Sequence, residues 1–155
     1  MSTAEYDIRR ATAADLDGIR TLLDTCGLPA SDLTAQSLDG FYVAVRDAEI
    51  VGVAGLEPAG DAALLRSVAV QPGLRASGLG TRLSNASIAL AQARSLGALY
   101  LIPNDEVAQL FFARRGFTRI ERNDVPEAIR ALPEFTHLCP QTHPCWWKPL
   151  NSDCA

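Results

Sequence analysis

The stretch SVAVQPGLRASGLGTRLSNASIALAQARSLG, residues 67–97, joins an apolar run to an amphipathic segment through a turn that contains Gly73, Gly78 and Gly80. Apolar side chains then recur in alternating steps of four and three residues, at Leu79, Leu83, Ala86, Leu90 and Ala93, which is a helical stripe. Gly97 is the expected C-cap of that helix. The stretch therefore predicts a strand, a glycine-containing turn and a helix, in that order.

The turn itself, Arg75-Ala76-Ser77-Gly78-Leu79-Gly80, is basic and carries little side-chain bulk. We expect it to bind an anion, because N–H groups at a helix start lack intrahelical partners and the helix dipole favours negative charge there. Gly78 and Gly80 let the backbone approach a phosphate closely. The motif is neither a Walker loop, since no Gly-Lys-Ser/Thr follows, nor the GxGxxG pattern. Taken alone, it is equally compatible with a plain structural turn.

The bulk properties predict one domain over residues 1–155, with enough apolar surface for a substantial core. A net charge of −4 argues against broad binding to nucleic acid or to anionic membranes. The longest apolar run, IVGVAGL, is far shorter than the roughly 20 residues that cross a bilayer. The first residues have no apolar core and do not predict a secretory signal, so we expect a cytoplasmic protein with reduced thiols.

The four cysteines are Cys26, Cys139, Cys145 and Cys154, and none has the spacing of a zinc site. We therefore expect no bound metal. A site for a soft metal or metalloid stays open at Cys139 and Cys145. His137 precedes this pair, and His143 lies between the two cysteines. Ordinary half-buried thiols are the default interpretation.

Strand and helix patterns alternate on both sides of the opening stretch. Before it come a strand (YDIRRA), a helix with Thr12 and Asp15 as its N-cap pair, a short polar helix (ASDLTAQSLD), a hairpin across Asp47-Ala48-Glu49 and the strand ALLRSVAV. After it come the strand ALYLIP, a helix capped by Asn104 and closed by Gly116, the strand FTRIER, a short helix with Pro126 near its start, and a last strand, CWWKPL. This order predicts an α/β domain with helices on both faces of a mixed sheet.

Three segments together resemble the GNAT superfamily of acetyl-CoA-dependent N-acetyltransferases. They are VAVQPGLRASGLGTRL, which is similar to the family's pyrophosphate loop, the strand ALYLIP, and NDEVAQLFFARRGF, a helix that ends in Gly-Phe. The resemblance covers roughly residues 5–148. It implies a mixed sheet of six to seven strands, in which two central parallel strands splay apart where the cofactor enters.

By position, the resemblance implies that the backbone of Val68 to Val70 pairs with the pantetheine arm like an added strand. It also implies that the amides from Arg75 to Thr81 hold the diphosphate, with the Arg75 side chain nearby. The residues assigned to acetyl-CoA are Val68, Ala69, Val70, Arg75, Ala76, Ser77, Gly78, Leu79, Gly80, Thr81, Asn104 and Phe112. Phe112 stands where many relatives have a general-acid tyrosine, and either contact with the cofactor arm or core packing is expected of it.

The C-terminal part of the chain resembles particular groups within this superfamily. DVPEAIRALPEF is similar to the acetyltransferase domain of N-acetylglutamate synthase. LLRSVAV, FFARRGF and a closing EF..LCP....C pattern resemble a stand-alone group of arsenic-resistance N-acetyltransferases. The implied acceptor is a small amino-acid-like compound with a primary amine beside a carboxylate, and an arsenic-containing glutamate analogue is one candidate. Where the synthase has a basic segment similar to QRRSKV, this chain has QTHPCW. The resemblance therefore does not identify glutamate itself as the acceptor.

Two arginines are candidates for holding the acceptor's carboxylate, since a guanidinium binds a carboxylate through two parallel hydrogen bonds. Arg66 lies on the active-site strand, where many relatives have an acidic side chain, and Arg130 lies in the synthase-like tail. The alternatives are that Arg66 neutralises a neighbouring carboxylate and that Arg130 is a solvated helix residue. Ser67, next to Arg66, is assigned to the substrate with them.

The expected reaction is direct attack of a neutral amine on the thioester carbonyl, in which positioning supplies much of the rate. The N–H of Val68 is the candidate for stabilising the oxyanion. Glu57 is the first candidate base, because it ends the strand before the active-site strand, and a turn-capping or surface role is the alternative. His137 and His143 are further candidates, and a water chain to solvent is another route. The thiolate that departs has a pKa of about 8.5, so loss of the tyrosine acid is tolerable.

Two other functions compete with this one. The first is a non-catalytic protein that captures trivalent arsenic through Cys139 and Cys145. The second is acetylation of protein N-termini or lysines, which Arg66 disfavours because such acceptors carry no adjacent carboxylate. The last strand is also a candidate for pairing two copies into a homodimer.

Overall fold

The computed structural model describes residues 6–75, 77–139 and 142–150. The strands are β1 (Asp7–Arg10), β2 (Phe41–Arg46), β3 (Glu49–Ala59), β4 (Ala62–Val70), β5 (Ala98–Leu101), β6 (Thr118–Ile120) and β7 (Cys145–Pro149). The α-helices are α1 (Leu16–Cys26), α2 (Leu79–Ala93), α3 (Glu106–Ala113) and α4 (Glu127–Arg130), and Glu134–Leu138 forms a π-helical turn. Across the described residues, no helix is both long enough and apolar enough to span a bilayer.

The strands form one seven-stranded mixed sheet in the order β1-β2-β3-β4-β5-β7-β6. β1 pairs antiparallel with β2, β2 with β3, β5 with β7, and β6 with β7. β4 and β5 run parallel, with Ala63 opposite Leu99 and Leu64 opposite Tyr100, and β4 continues from there to Val70. The predicted fold class, a mixed sheet with a central parallel pair, is confirmed.

The chain divides into two compact units, each with a core of its own. The first contains the described residues up to Leu56 together with Ser67–Leu90. The second contains Glu57–Arg66 together with the described residues from Ala91 onward. The single-domain organisation over residues 1–155 stays a prediction.

In the first unit, helices pack on opposite faces of β2 and β3. Neighbouring residues of a strand point to opposite faces, and Val43 packs with α1 whereas Ala44 packs with α2. The α1 side buries Ile19, Leu22, Leu23, Phe41, Val43 and Val53, and the α2 side buries Ala44, Val51, Ala54, Leu79 and Leu83. Helices therefore lie on both faces of the sheet, as expected.

The predicted Thr12 and Asp15 pair forms a capping box, but it caps the 3-10 helix Ala13–Asp15 that leads directly into α1. The backbone N–H of Thr12 donates to Asp15 Oδ2 at 2.8 Å. Arg9 donates to both oxygens of the same carboxylate, at 2.8 and 3.0 Å. These charge-assisted hydrogen bonds from Arg9 lower the pKa of Asp15. Gly27 ends the helix in the left-handed conformation, with φ +72°.

In the second unit, α4 and the π-helical turn cover one face of β4 and β5. Leu64 and Tyr100 pack there against Ile129 and Phe135. Burial raises the pKa of Tyr100, with a smaller contribution from Asp61. The short helix that begins after Pro126 is thus confirmed, and it is followed by the π-helical turn, which the sequence did not predict and which packs against β4 at Leu64.

Three local predictions differ from the structure. The segment predicted as a polar helix over residues 30–39 is helical only in a 3-10 turn, Gln36–Gly40. α2 stops at Ala93 and not next to Gly97, because Ser95 adopts φ +60° and Leu96 N–H donates to Ala91 O, which closes a Schellman motif two residues earlier. The cap of α3 is Asp105, not Asn104, since the Asp105 carboxylate accepts the N–H of Ala108 at 2.9 Å.

Candidate active site

The active-site strand β4 changes conformation at Ser67. This residue has φ +59°, a left-handed conformation that is uncommon for a non-glycine residue. Ser67 is buried, and Val68 and Val70 pack on the α2 side of the sheet while Ala69 packs on the α1 side. A left-handed residue locally breaks the regular alternation of a strand, and here it immediately precedes the main-chain N–H predicted to stabilise the oxyanion.

The glycine turn begins with a 3-10 helix, Pro72–Leu74, and leads directly into α2. Ser77 fixes it internally, because its hydroxyl donates to Leu74 O at 2.6 Å and accepts the N–H of Leu79 at 3.3 Å. Gly78 has φ +86°, and a Cβ placed on it would have no atom within 4 Å. The turn therefore leaves open space beside Gly78 at the start of α2. Binding of an anion there stays a prediction.

The remaining residues assigned to the cofactor differ in their exposure. Arg75 is exposed, Gly80 and Thr81 are half-buried in the first turn of α2, and Asn104 is exposed just before Asp105. Phe112 is buried, with its ring edge-on to Phe111 and Phe117 at centroid distances of 5.0 and 5.5 Å. Core packing of Phe112 is thus observed, and its contact with the cofactor stays a prediction. Ala76 lies outside the described residues.

Arg66 is the centre of a buried cluster of charges. Its Nη1 is 3.1 Å from Glu57 Oε1, and its Nε is 3.4 Å from Glu134 Oε2. The Arg66 side chain is 1% exposed and that of Glu134 is 7% exposed, whereas the Glu57 side chain is 28% exposed. Arg66 thus neutralises neighbouring carboxylates, as the alternative interpretation held, and its direct contact with substrate stays a prediction.

Glu134 is the residue of this cluster that sequence reasoning missed. It lies in the π-helical turn, 68 positions after Arg66 along the chain, and it is buried beside Arg66 and Cys139. An acidic residue between a proline and a phenylalanine was the available signal. Nothing in the sequence pairs it with Arg66, because the contact depends on how the tail folds back onto β4.

The other candidates for substrate contact or proton transfer are more peripheral. Arg130 is exposed on α4. His137 is exposed, with Nδ1 2.9 Å from the hydroxyl of Thr136, and the backbone carbonyl of His143 accepts a hydrogen bond from Arg122 at 3.4 Å. Roles for Arg130, His137 and His143 stay predictions, and Glu57 is the candidate base that Arg66 contacts.

The thiols of the tail are held in their protonated form. Burial, together with the charge of Glu134 and a hydrogen bond to it, raises the pKa of Cys139 to about 12. Burial also raises the pKa of Cys145. Among residues 6–75, 77–139 and 142–150, no three histidine, cysteine or acidic side chains converge as metal ligands would. Cys154 falls outside these ranges.

The sequence of this chain matches a known protein family. Residues 37–119, more than half of the chain, match the family model described as an acetyltransferase (GNAT) domain. A search of curated protein sequences gives no match.

Several solved structures share the fold. N-acetylglutamate synthase from Neisseria gonorrhoeae, complexed with coenzyme A and N-acetyl-glutamate, is 22% identical with a TM-score of 0.79, over 97% of this chain and 36% of the synthase. Rv2747 from Mycobacterium tuberculosis, in complex with CoA, is 24% identical with a TM-score of 0.78, over 94% of this chain and 99% of its own. A GNAT acetyltransferase from Staphylococcus aureus Mu50 is 18% identical with a TM-score of 0.75, over 95% and 100% of the two chains.

This chain spans about a third of the length of the Neisseria synthase, so the similarity concerns the fold of one part of that enzyme. The family match, the mixed sheet with its parallel pair and the glycine turn at the start of α2 agree with one another. The chain belongs to the GNAT family of acetyl-CoA-dependent acetyltransferases.

Proposed function

We propose that this acetyltransferase transfers the acetyl group of acetyl-CoA to the primary amine of a small amino-acid-like acceptor that carries a carboxylate. The observation that carries the donor half is the exposed turn at Gly78, which has room for a phosphate at the N-terminal end of a 15-residue helix. The acceptor half rests on the tail segment that resembles N-acetylglutamate synthase. An arsenic-containing glutamate analogue remains one specific acceptor to test.

Acetyl-CoA supplies the thioester, and the chain's own residues bind it. In this proposal Val68 to Val70 pair with the pantetheine arm, and the turn from Arg75 to Thr81 holds the diphosphate. The N–H of Val68, which follows the left-handed Ser67, donates a hydrogen bond to the carbonyl oxygen as charge develops on it. Asn104 and Phe112 complete the assigned cofactor contacts.

Removal of the ammonium proton is assigned to Glu57. Its carboxylate is partly exposed, so a proton has a path to solvent, and Arg66 fixes one of its oxygens at 3.1 Å. A base positioned in this way contributes typically 10²–10⁴-fold to the rate. Arg66 orients Glu57 in this assignment, and Arg66, Ser67 and Arg130 are proposed to contact the acceptor. Cytoplasmic location and a homodimer are also proposed, but β7 lies between β5 and β6 in the sheet, so the pairing of two copies through this last strand, which the sequence suggested, is not available.

The arsenic-capturing alternative gains no support from the site. A thiol binds metals and metalloids as the thiolate, and burial raises the pKa of both described tail cysteines.

Substituting Gly78 by alanine tests the donor half. The added Cβ meets no protein atom, but it lies where the diphosphate would approach, and we expect coenzyme A to bind about tenfold more weakly by titration calorimetry. Gly60→Ala is the matched control, because Gly60 also has a positive φ, +65°, and ordinary room for a Cβ. Both variants should lose about 1–2 kcal/mol of stability, because alanine is disfavoured in the left-handed conformation, but only Gly78→Ala should lose affinity. Equal affinities in the two variants would contradict the assignment of the turn.

A panel of amines tests the acceptor half. The wild-type protein is mixed with acetyl-CoA and, in separate reactions, with amino acids, glutamate analogues including arsenicals, the decarboxylated amine of each, and a lysine-containing peptide. Mass spectrometry of the N-acetyl products should show that each amine with an adjacent carboxylate is acetylated at least tenfold faster than its decarboxylated counterpart. Preference for the decarboxylated amines or for the peptide would overturn the acceptor class.

A further inference from the structure

A cysteine from α1 is joined to the cofactor turn, 49 positions away along the chain. Cys26 Sγ lies 3.6 Å from Arg75 Nη2 and 3.7 Å from the backbone oxygen of Val70. Arg75 Nε donates to that same oxygen at 3.2 Å. The thiol therefore accepts from the guanidinium while its own hydrogen is donated to the carbonyl, and the three groups form a closed set of hydrogen bonds.

Each anchor of this set is itself held in place. Cys26 is the last residue of α1, which Gly27 caps, and it packs against the core on the α1 side. At the other end, Val70 is the last residue of β4, and the next N–H, of Gln71, donates to Val51 O at 2.9 Å. The position of the exposed Arg75 side chain is thus determined by a capped helix and by an anchored strand end.

This arrangement selects one of many conformations for a long side chain. An arginine side chain loses rotamer entropy when a ligand immobilises it. A guanidinium that is already ordered in the free protein loses less on binding, which raises affinity without a new ligand contact. The same hydrogen bonds connect Arg75, in the turn, to the end of β4, the strand whose backbone is proposed to pair with pantetheine.

We propose that Cys26 is a positioning residue for coenzyme A, which holds the Arg75 guanidinium on the Val70 carbonyl so that it is preorganised for the diphosphate. This inference rests on the proposed function of the turn. Cys26 is not assigned any contact with the cofactor or any part in the chemical step.

The test is a double-mutant cycle on coenzyme A affinity, measured by titration calorimetry with wild type, Cys26→Ala, Arg75→Ala and the double variant. Cys26→Ala should weaken binding about fivefold in the wild-type background and leave it unchanged when Arg75 is already alanine. Cys26→Ser, which keeps a donor and an acceptor, should recover most of the affinity. Thr25→Ala, one residue earlier on an exposed position of the same helix, should bind like wild type.

The outcomes separate the inference from the function on which it rests. If wild type gives no heat with coenzyme A, the assignment of the turn fails. If wild type binds and Cys26→Ala binds equally well, or weakens binding by the same factor in both Arg75 backgrounds, the positioning role is wrong while the turn assignment stands. Should Cys26→Ala not fold by circular dichroism, Cys26→Ser and Cys26→Val decide, with near-wild-type affinity in the valine variant contradicting the proposal.

Discussion

Replacing Arg66 by methionine should reduce the free energy of unfolding by about 3–5 kcal/mol at pH 7, because removal of one partner from a buried ion pair leaves the other charge uncompensated. Glu134 is 5% exposed as a residue and would lose the Nε contact at 3.4 Å. Glu57 would lose its own contact with Nη1, but its partial exposure limits the cost. Most of the loss is therefore expected from Glu134. Urea unfolding followed by circular dichroism measures it.

The pH dependence of this loss of stability distinguishes a buried charge without its partner from a loss of side-chain packing. Without Arg66, burial should raise the pKa of Glu134 in the folded protein above its value in the unfolded chain. A carboxyl group shifted in this direction favours folding as the pH falls through its raised pKa. The difference in free energy of unfolding between wild type and Arg66→Met should therefore become smaller as the pH is lowered from 8.5 to 5.5. The double variant Arg66→Met/Glu134→Gln should recover part of the loss at pH 7.

The same substitution at an exposed ion pair supplies the control. Arg10 lies 3.7 Å from Asp39, with side chains 43% and 77% exposed. Exposed pairs of this kind contribute about 0–1 kcal/mol, so Arg10→Met should change stability far less than Arg66→Met. The buried ion pairs would not be an important source of stability if Arg66→Met lost no more stability than Arg10→Met. A loss for Arg66→Met that does not vary with pH would contradict the stated cause.

Gly55→Ala should cost about 3 kcal/mol, at the upper end of what overpacking usually costs. Gly55 lies opposite Phe41 in the pairing of β3 with β2. A Cβ built on Gly55 would be less than 3 Å from three atoms of the Phe41 ring. That ring is 1% exposed and packs with α1, so it has no free space into which to move. Urea unfolding gives the difference, and Gly55→Val should fold poorly if at all.

Gly73→Ala is the matched control for Gly55→Ala. A Cβ on Gly73 would have no atom within 4 Å, and the residue needs no positive φ. We expect its stability to stay within about 0.5 kcal/mol of wild type. Relief should come from Phe41→Leu, since a smaller side chain removes the clash, and the double variant should then be more stable than the sum of the single losses predicts. Strict additivity would contradict the stated cause.

Sequence patterns predicted the parts of the fold that depend on neighbouring residues. The cap at Thr12 and Asp15, the hairpin turn at Asp47 and Ala48, and the closing Gly116 all involve groups a few positions apart. Where two local signals compete, the prediction failed by a residue or more. Asp105 caps α3 although Asn104 is as good a cap by type, and Ser95 ends α2 before the better left-handed residue, Gly97.

The candidate site was predictable only where one segment supplies it. The glycine turn lies within a single stretch, and its geometry matches its sequence pattern. The partners of Arg66 come from β3 and from the π-helical turn, and the partner of Arg75 comes from the end of α1. Such contacts depend on tertiary folding, for which periodicity and spacing carry no signal.

The protonated state of Cys139 has a practical consequence for assays that detect released coenzyme A with a thiol-reactive dye. Such dyes attack thiolates, and a half-buried thiol with a pKa raised to about 12 supplies few at the pH of the assay. Cys139 should therefore contribute little background absorbance.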